Sequence, residues 1–397
     1  MSETFDPILI RHLAPKNFLS FGPDYAGIDL RALNLLIGAN GSGKSNLIEA
    51  VSFMRAAAAA KDFREVTLKG GGAAEWIWKG RPTGTASVEW VVSNPTGKKP
   101  LRHTVSFRCP QQSFLLADER VEESEPRNTG VDDFYFFYRY QNGQPVVNTL
   151  DGQGRQLSRE SIELDRSILL QRRDPDAYPE LALLAGSYER IRIYREWQFG
   201  RDSACRMAKQ ADVRNDVLLE DFSNLAIFLS RLKKHPKAKK EFISYLAKLY
   251  DGLTDFEVVA EGGSLRIFLH EGEFAIPAER LSDGTLRYLC LLAILCDPAP
   301  PPLICIEEPE LGLHPDILPT LADLLKAASQ KTQLIVTTHS DILVDAMTDQ
   351  PESVVVCEKH DGKTEMNRLM ASELAVWLDK YRLGQLWTKG QLGGTRW

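Results

Sequence analysis

A glycine-rich octapeptide follows a short apolar run near the start of the chain. The sequence GANGSGKS occupies residues 38–45, directly after LNLLI at residues 33–37. An uninterrupted apolar run that ends on glycine is typical of a strand buried in a parallel sheet. From Lys44 onwards, apolar residues recur at helical spacing, as at Leu47 and Met54. The pattern predicts a strand, a glycine loop and a helix in succession, which is the order that a phosphate-binding loop requires.

The octapeptide also fits the pattern GxxxxGK[ST]. Its glycines let backbone amides surround a β-phosphate, Lys44 neutralises β/γ charge, and the Ser45 hydroxyl binds Mg²⁺. Chance alone would produce the four fixed positions in roughly one sequence of this length in a hundred. We therefore predict ATP contacts from the whole loop and the residue after it: Gly38, Ala39, Asn40, Gly41, Ser42, Gly43, Lys44, Ser45 and Asn46.

Two adjacent glutamates follow a second apolar run, LICIEE at residues 303–308. A buried strand with an exposed acidic turn is the simplest interpretation. However, strands of a doubly wound sheet direct their carboxyl ends to the ligand crevice. We then expect Glu307 to hold Mg²⁺ through its water shell, and Glu308 to act as general base or to orient the attacking water.

A histidine occupies the corresponding place after a third apolar run, QLIVTTHS at residues 333–340. A lone histidine is more often structural. His339 differs because Lys44 and Glu308 are expected in the same crevice, where it would contact the γ-phosphate or the attacking water.

The segment LSDGT at residues 281–285 precedes an apolar helical pattern, about 20 residues before the glutamate pair. Elsewhere it would be taken as an ordinary turn or helix cap. Here we expect Ser282 and Gly284 to present a hydroxyl and backbone amides to a γ-phosphate held by a second copy of the chain.

The remaining patterns predict an α/β fold with a mainly parallel sheet core. Short alternating runs between residues 85 and 149 predict an antiparallel β lobe, and helical patterning dominates residues 161–254. Strand and helix patterns alternate in the final third. We therefore expect one discontinuous unit, residues 1–160 and 255–397, interrupted by a mainly helical insertion at 161–254. No heptad array predicts a long coiled coil.

Composition excludes several classes of protein. The formal net charge of -6 gives no general attraction to nucleic acid or anionic membrane. The six cysteines form no metal-ligand spacing, which favours reduced thiols over disulfides or zinc. No leader pattern begins the sequence, and its best apolar run, residues 288–296, is too short to cross a bilayer. We expect a cytoplasmic protein.

One basic run leaves DNA binding open. The simplest interpretation is a solvated helix face, and the alternative is contact with DNA phosphates. Its members are Arg231, Lys233, Lys234, Lys237, Lys239 and Lys240.

Together, GANGSGKSN, LSDGTLR, EEPELGLHP and THS resemble the SMC- and RecF-like branch of the ABC ATPases. More narrowly, EEPELGLHP and the LGGTRW ending resemble a bacterial group of predicted ATPases related to OLD- and Septu-type antiphage systems. The resemblance implies a P-loop NTPase fold of ABC type, ATP and Mg²⁺ as cofactors, and a homodimer that closes around two ATP molecules. It also implies a D-loop at residues 309–314 and a nucleotide base near Lys16, Asn17, Ser20 and Phe21.

The resemblance leaves several points open. Glu307 stands where the wider superfamily has aspartate, and Asp283 where it often has glycine. Gln171 and Gln198 are both candidates for the Q-loop. The expected output is control of a separate effector, a TOPRIM-like nuclease or a toxin, in antiphage defence. The alternatives are a RecF-like DNA-binding role in DNA repair and an ATP-gated scaffold with little turnover.

Overall fold

The computed structural model describes residues 6–60, 62–82, 84–95, 99–126, 134–141, 144–148, 154–156, 163, 166–210 and 216–394. The strands are β1 Ile10–Lys16, β2 Ile28–Asp29, β3 Leu33–Ile37, β4 Ala86–Val92, β5 Leu101–Arg108, β6 Leu115–Glu123, β7 Phe136–Gln141, β8 Gln144–Asn148, β9 Gly154–Gln156, β10 Arg192–Tyr194, β11 Lys209–Gln210, β12 Leu253–Glu261, β13 Ser264–Glu271, β14 Phe274–Pro277, β15 Leu303–Glu307, β16 Gln333–Thr337, β17 Val354–His360 and β18 Lys363–Arg368. The α-helices are α1 Lys44–Ala59, α2 Phe63–Lys69, α3 Ile168–Gln171, α4 Pro179–Glu189, α5 Leu225–Leu232, α6 Pro236–Leu246, α7 Asp283–Leu295, α8 Leu318–Ala328, α9 Asp341–Asp345, α10 Ala371–Leu378 and α11 Leu383–Thr388.

A six-stranded sheet lies at the centre of the fold, in the order β10-β15-β16-β3-β17-β18. Every neighbouring pair from β10 to β17 is parallel, and β18 adds an antiparallel edge. Strand β3 is buried along its whole length, with Leu35 in one hydrophobic core and Leu36 in the other. Burial on both faces explains why these strands read as continuous apolar runs rather than alternating ones.

The predicted β lobe is an antiparallel sheet in the order β2-β1-β4-β5-β6-β7-β8-β9. Strand β4 alternates between buried and half-buried residues, because only one face of this sheet meets the core. That face packs on α1, where the Phe53 ring centroid lies 5.4 Å from that of Phe107 and 5.6 Å from that of Phe18. The lobe thus supports the helix that follows the phosphate loop.

The range predicted as a mainly helical insertion, residues 161–254, also contributes a strand to the central sheet. Strand β10 lies within this range, yet it pairs in parallel with β15 through Ile193 and Cys305. Helix α4 also packs on α1. A strand of three residues is too short to produce a periodic pattern in the sequence. After β10, helices α5 and α6 pack against a small sheet built from β11, β13, β12 and β14.

The predicted fold class is confirmed: parallel and antiparallel sheets occur together in an α/β fold. Helix α1, with 16 residues, is the longest helix in the described ranges, so no long coiled coil is present there. None of the described helices combines the length and apolar character that crossing a membrane requires.

Candidate active site

The carboxyl ends of three neighbouring parallel strands bring the predicted residues to one edge of the sheet. The β15 residue Glu307 pairs with Thr337 of β16, and Thr337 pairs with Leu36 of β3. The phosphate loop, the glutamate pair and His339 therefore start from adjacent strands, although up to about 300 residues separate them in the sequence. This edge is where ligands bind in open α/β sheets.

The phosphate loop depends on glycine at two positions where the backbone has a positive φ. Gly38 has a φ of 147°, and a Cβ there would collide with the Cys357 carbonyl oxygen. Gly43 has a φ of 103°, and a Cβ there would collide with the Thr364 hydroxyl. The loop wraps around its own lysine, because Lys44 Nζ donates to the carbonyl oxygens of Gly38 at 2.7 Å and Ala39 at 3.1 Å. Burial lowers the pKa of the Lys44 ammonium.

Ser45 and Glu307 lie together on the side of the loop where a metal ion is expected. Ser45 Oγ donates to Glu307 Oε2 at 3.2 Å. Glu307 Oε1 is buried and accepts no hydrogen bond from the described residues, while Arg195 Nε lies 3.7 Å away. Burial raises the pKa of Glu307. A hydroxyl beside a carboxylate with a free oxygen suits Mg²⁺, which commonly takes one or two protein oxygens and completes its shell with phosphate and water.

The backbone conformation of Glu308 helps to determine where its side chain lies. Its φ of 45° is left-handed, a strained conformation for a residue with a Cβ. The strain is maintained by a 3.1 Å hydrogen bond from Glu308 N to the Thr337 carbonyl oxygen. Glu308 Oε1 lies 3.6 Å from His339 Nε2, and both side chains remain about one-third exposed. The carboxylate can therefore reach a water molecule and the imidazole at the same time.

His339 is fixed by a glutamate that sequence reasoning did not single out. Glu310 Oε1 accepts hydrogen bonds from Thr338 Oγ1 at 2.6 Å and from His339 N at 2.8 Å. Burial, followed by the charge of Lys44, lowers the pKa of His339. The lowered pKa favours the neutral imidazole, in which one ring nitrogen donates and the other accepts. Glu310 lies within EEPELGLHP, but nothing in its local pattern indicates that it bonds across to another strand.

The LSDGT segment lies at the start of α7. Ser282 caps the helix, because its Oγ accepts a hydrogen bond from Thr285 N at 3.1 Å. A Cβ on Gly284 would lie 2.7 Å from the carbonyl oxygen of Gly312. Within the described residues, no hydrogen bond joins Ser282 or Gly284 to the phosphate loop.

Arg206, another residue that sequence reasoning missed, holds this segment in place. Its buried guanidinium donates to the carbonyl oxygens of Ala278 at 3.1 Å and Leu281 at 2.6 Å, and to Asp283 Oδ1 at 2.5 Å. Arg206 lies in the chain segment after β10, so that segment is bonded directly to the start of α7. No short motif around Arg206 could have indicated this contact.

A tryptophan and a second arginine connect the glutamate pair to α7. Trp197 Nε1 donates to the Glu307 carbonyl oxygen at 2.8 Å. The guanidinium carbon of Arg287 lies 4.6 Å from the centre of the Trp197 ring, within the range of a cation–π contact. Arg287 also donates to the carbonyl oxygens of Leu311 at 2.5 Å and Glu308 at 3.3 Å. These contacts fix the expected D-loop against α7.

The two Q-loop candidates have different surroundings. Gln171 ends α3, and its side chain donates to backbone carbonyl oxygens of Arg166 at 2.9 Å and Glu163 at 3.1 Å. Gln198 instead follows β10 and lines a cavity of about 640 Å³ that also borders Glu49 and Arg195. The geometry favours the segment containing Gln198, since Arg195 and Trp197 contact Glu307.

The residues expected near the base also divide into two groups. Ser20 Oγ accepts a hydrogen bond from Asn46 Nδ2 at 2.7 Å, so it adjoins the loop, and Lys16 is exposed. Asn17 and Phe21 are buried, and the Phe21 ring packs against Tyr25. Phe21 therefore contributes to the core of the β lobe rather than to a nucleotide surface.

The contacts of Arg206 predict a large effect on stability. We expect Arg206→Met to lower the free energy of unfolding by about 3 kcal/mol, because several buried carbonyl oxygens lose their donor. Asp283→Asn serves as the control: Asp283 is 70% exposed, so its loss should cost less than about 1 kcal/mol. Urea denaturation measures both values. Equal effects would contradict the assignment of Arg206 as the principal support of the LSDGT segment.

Solved structures share this fold. The Smc head domain with an extended coiled coil bound to the C-terminal domain of ScpA, from Pyrococcus furiosus, has a TM-score of 0.57 at 17% identity, covering 94% of this chain and 99% of that one. The SmcHead bound to the C-winged helix domain of ScpA has a TM-score of 0.53 at 17% identity, covering 92% and 99%. The Smc head domain with a coiled coil and joint from Pyrococcus yayanosii has a TM-score of 0.51 at 15% identity, covering 94% and 99%. These values establish similarity of fold.

The fold is that of SMC head domains, and the site motifs resemble those of SMC/RecF-like ATPases of the ABC type. The particular family follows from the sequence. Residues 33–345 match the AAA_21 family, described as "AAA domain, putative AbiEii toxin, Type IV TA system", and the chain belongs to this family. No curated protein matches the sequence.

Proposed function

We propose that the protein binds and hydrolyses Mg²⁺-ATP and that ATP closes a homodimer around two nucleotide sites. The observation that carries this proposal is the meeting of Lys44, Ser45, Glu307, Glu308 and His339 at one edge of the parallel sheet. Membership of an ATPase family supports nucleotide binding in general. The particular reaction rests on what these side chains can do.

Each side chain has a distinct role in the proposed reaction. Lys44 and the loop amides bind the phosphates, and Ser45 and Glu307 would hold Mg²⁺, which supplies positive charge against the β- and γ-phosphate oxygens. Glu308 accepts a proton from the attacking water or orients that water. His339 is available to the γ-phosphate or the water as a hydrogen-bond partner.

The position of Ser282 and Gly284 supports the dimer. Within the described residues they make no hydrogen bond to the phosphate loop of their own chain, and the contact that we propose for them is with the γ-phosphate held by a second copy. Leu311, in the expected D-loop, is 49% exposed although it is a large apolar residue. Exposed apolar residues beside such a site suit a surface that a partner covers.

Light scattering with nucleotide tests this arrangement. We expect Mg²⁺-ATP to shift the wild type from monomer to dimer, and Ser282→Arg to prevent the shift, because a bulky cation would occupy the space of the opposite γ-phosphate. Ser282→Arg should still bind ATP with affinity within about threefold of wild type, since Lys44 and Ser45 are untouched. A monomeric wild type under saturating ATP would refute dimer closure.

We further propose that the ATP-bound dimer controls a separate effector, a TOPRIM-like nuclease or a toxin, in antiphage defence. The family description refers to a toxin and a toxin–antitoxin system, and two SMC heads of similar fold are described as bound to ScpA domains. The test is co-purification from the native cell. Glu308→Gln represents the ATP-bound state, and Lys44→Met represents the state without ATP. The effector should associate with one variant at least about tenfold more than with the other. Equal recovery would refute control by nucleotide.

A DNA-binding role is the alternative, and one surface favours it. Lys234, Lys237 and Lys240 are exposed at the corner between α5 and α6, whereas Arg231 and Lys239 form ion pairs with carboxylates.

If the protein contacts about four DNA phosphates through this surface, log affinity should fall with log salt at a slope near -3.6. Reversing the three exposed lysines to glutamate should then weaken binding by at least about tenfold and flatten the slope. The control replaces Lys69, Lys79 and Lys380 with glutamate, which makes the same change in charge elsewhere on the surface. Equal affinity of the two triple variants for DNA would exclude this surface.

A further inference from the structure

The glycine-containing segment after α10 is not explained by the proposed reaction. Residues 383–394, here called the strap, begin with α11 and end in the pair Gly393 and Gly394. One end of the strap is fixed to α9, the helix that directly follows His339 and Ser340. The other end reaches the phosphate loop. The strap therefore connects the helix that follows His339 to the first glycine of the phosphate loop.

The first attachment is a close contact between two helices. Leu383 N donates to Thr348 Oγ1 at 3.1 Å, and Gln385 N donates to Asp345 Oδ1 at 3.2 Å. Gly384 approaches α9 so closely that a Cβ there would collide with the Asp341 carbonyl oxygen. The start of the strap is thus anchored to α9 by backbone contacts.

The second attachment is made by Gly394 against the first glycine of the phosphate loop. Gly394 N donates to Glu358 Oε1 at 2.9 Å, and Glu358 belongs to β17, the neighbour of β3. A Cβ on Gly394 would lie 3.3 Å from Gly38 Cα and 2.9 Å from Val356 Cγ1. Its φ of 69° is left-handed, so glycine is favoured on two grounds.

The strap lies beside a cavity that borders the phosphate loop. A cavity of about 270 Å³ borders the loop at Asn40 and Gly41, and Gly394 and His360 are also among its lining residues. Gly38 lies close to both the Cys357 carbonyl oxygen of β17 and Gly394. Backbone amides bind phosphate well only when they are held in the right direction beforehand. Support for Gly38 is therefore support for the anion site.

We propose that the strap is part of the nucleotide site: Gly394, held by Glu358, positions Gly38 and thereby sets the affinity for ATP. Gly394 and Glu358 act as positioning residues, since neither needs to touch the nucleotide. The inference rests on the proposed binding of ATP at the phosphate loop.

Titration with a fluorescent ATP analogue and Mg²⁺ tests the role of Gly394. We expect Gly394→Ala to weaken binding by at least about tenfold, because its Cβ would displace Gly38 or the strap. Gly263→Ala is the matched control: Gly263 has a φ of 81° and open space around its Cβ position, so it shares the backbone strain without the contact. Its affinity should stay within about twofold of wild type. Equal affinities for the two variants would overturn the inference.

Glu358 provides a second test that does not depend on the folding of Gly394→Ala. Glu358→Ala removes the acceptor for Gly394 N and should weaken binding of the analogue, whereas Glu358→Gln keeps an acceptor oxygen and should restore most of the affinity. If both variants lose affinity for the analogue, or if neither does, the proposed role of this hydrogen bond is wrong. Wild-type protein and Lys44→Met run alongside: no binding by the wild type would refute the proposed function itself rather than the strap.

Discussion

Replacing Glu308 with glutamine should lower ATP turnover by at least about 100-fold while leaving ATP binding intact. Glutamine has nearly the same shape, so the left-handed backbone at residue 308 and its hydrogen bond to Thr337 can persist. The amide cannot accept the proton of the attacking water. The variant should consequently accumulate as the ATP-bound dimer, which light scattering can measure together with phosphate release.

The control for this prediction is Glu365→Gln, which makes the same chemical change at an exposed position of β18. Its turnover should equal that of the wild type. A Glu308→Gln variant with normal turnover would refute the assignment of the base. A wild type that itself dimerises with ATP but releases almost no phosphate would instead support an ATP-gated scaffold.

The second large effect is expected at Lys44. Lys44→Met should weaken ATP binding by at least about 100-fold, because a charge-assisted contact with the phosphates is lost. Stability should change little or rise, since burial of the ammonium carries a desolvation cost that the lowered pKa of Lys44 reflects. Nucleotide titration and thermal unfolding of the same sample separate the two quantities.

The outcome that would contradict this prediction is a parallel loss of binding and stability, which would make Lys44 a structural residue of the loop. Lys234→Met provides the control, because Lys234 is exposed and lies on the basic corner away from the site. It should bind nucleotide as the wild type does.

The sequence predicts the central fold well because strand burial leaves a direct mark on composition. Strands β3, β15 and β16 are continuous apolar runs, and each is followed by a residue with evident chemistry, at Lys44, Glu308 or His339. Their order in the sheet then determines which side chains can meet. The fold class is confirmed, whereas the site roles remain predictions that the geometry makes specific.

The contacts that sequence analysis missed are formed by single side chains bonded to distant backbone atoms. Arg206 binds carbonyl oxygens about 75 residues away, and Glu310 accepts from Thr338 and His339. Such contacts require no local pattern, because a carbonyl oxygen is present in every residue. The membership of β10 in the sheet could not be predicted for a different reason, because three residues are too few to produce a periodic pattern.

Trp197 gives this protein an optical property that follows from its position. Its indole N–H is bonded to the Glu307 carbonyl oxygen, its ring lies near Arg287, and it stacks on Phe222 with ring centroids 5.5 Å apart. Indole emission is sensitive to polarity and to nearby charge, so any change in the relative position of β15 and α7 will alter the fluorescence of this residue. The protein thus contains its own spectroscopic label at the junction between β15 and α7.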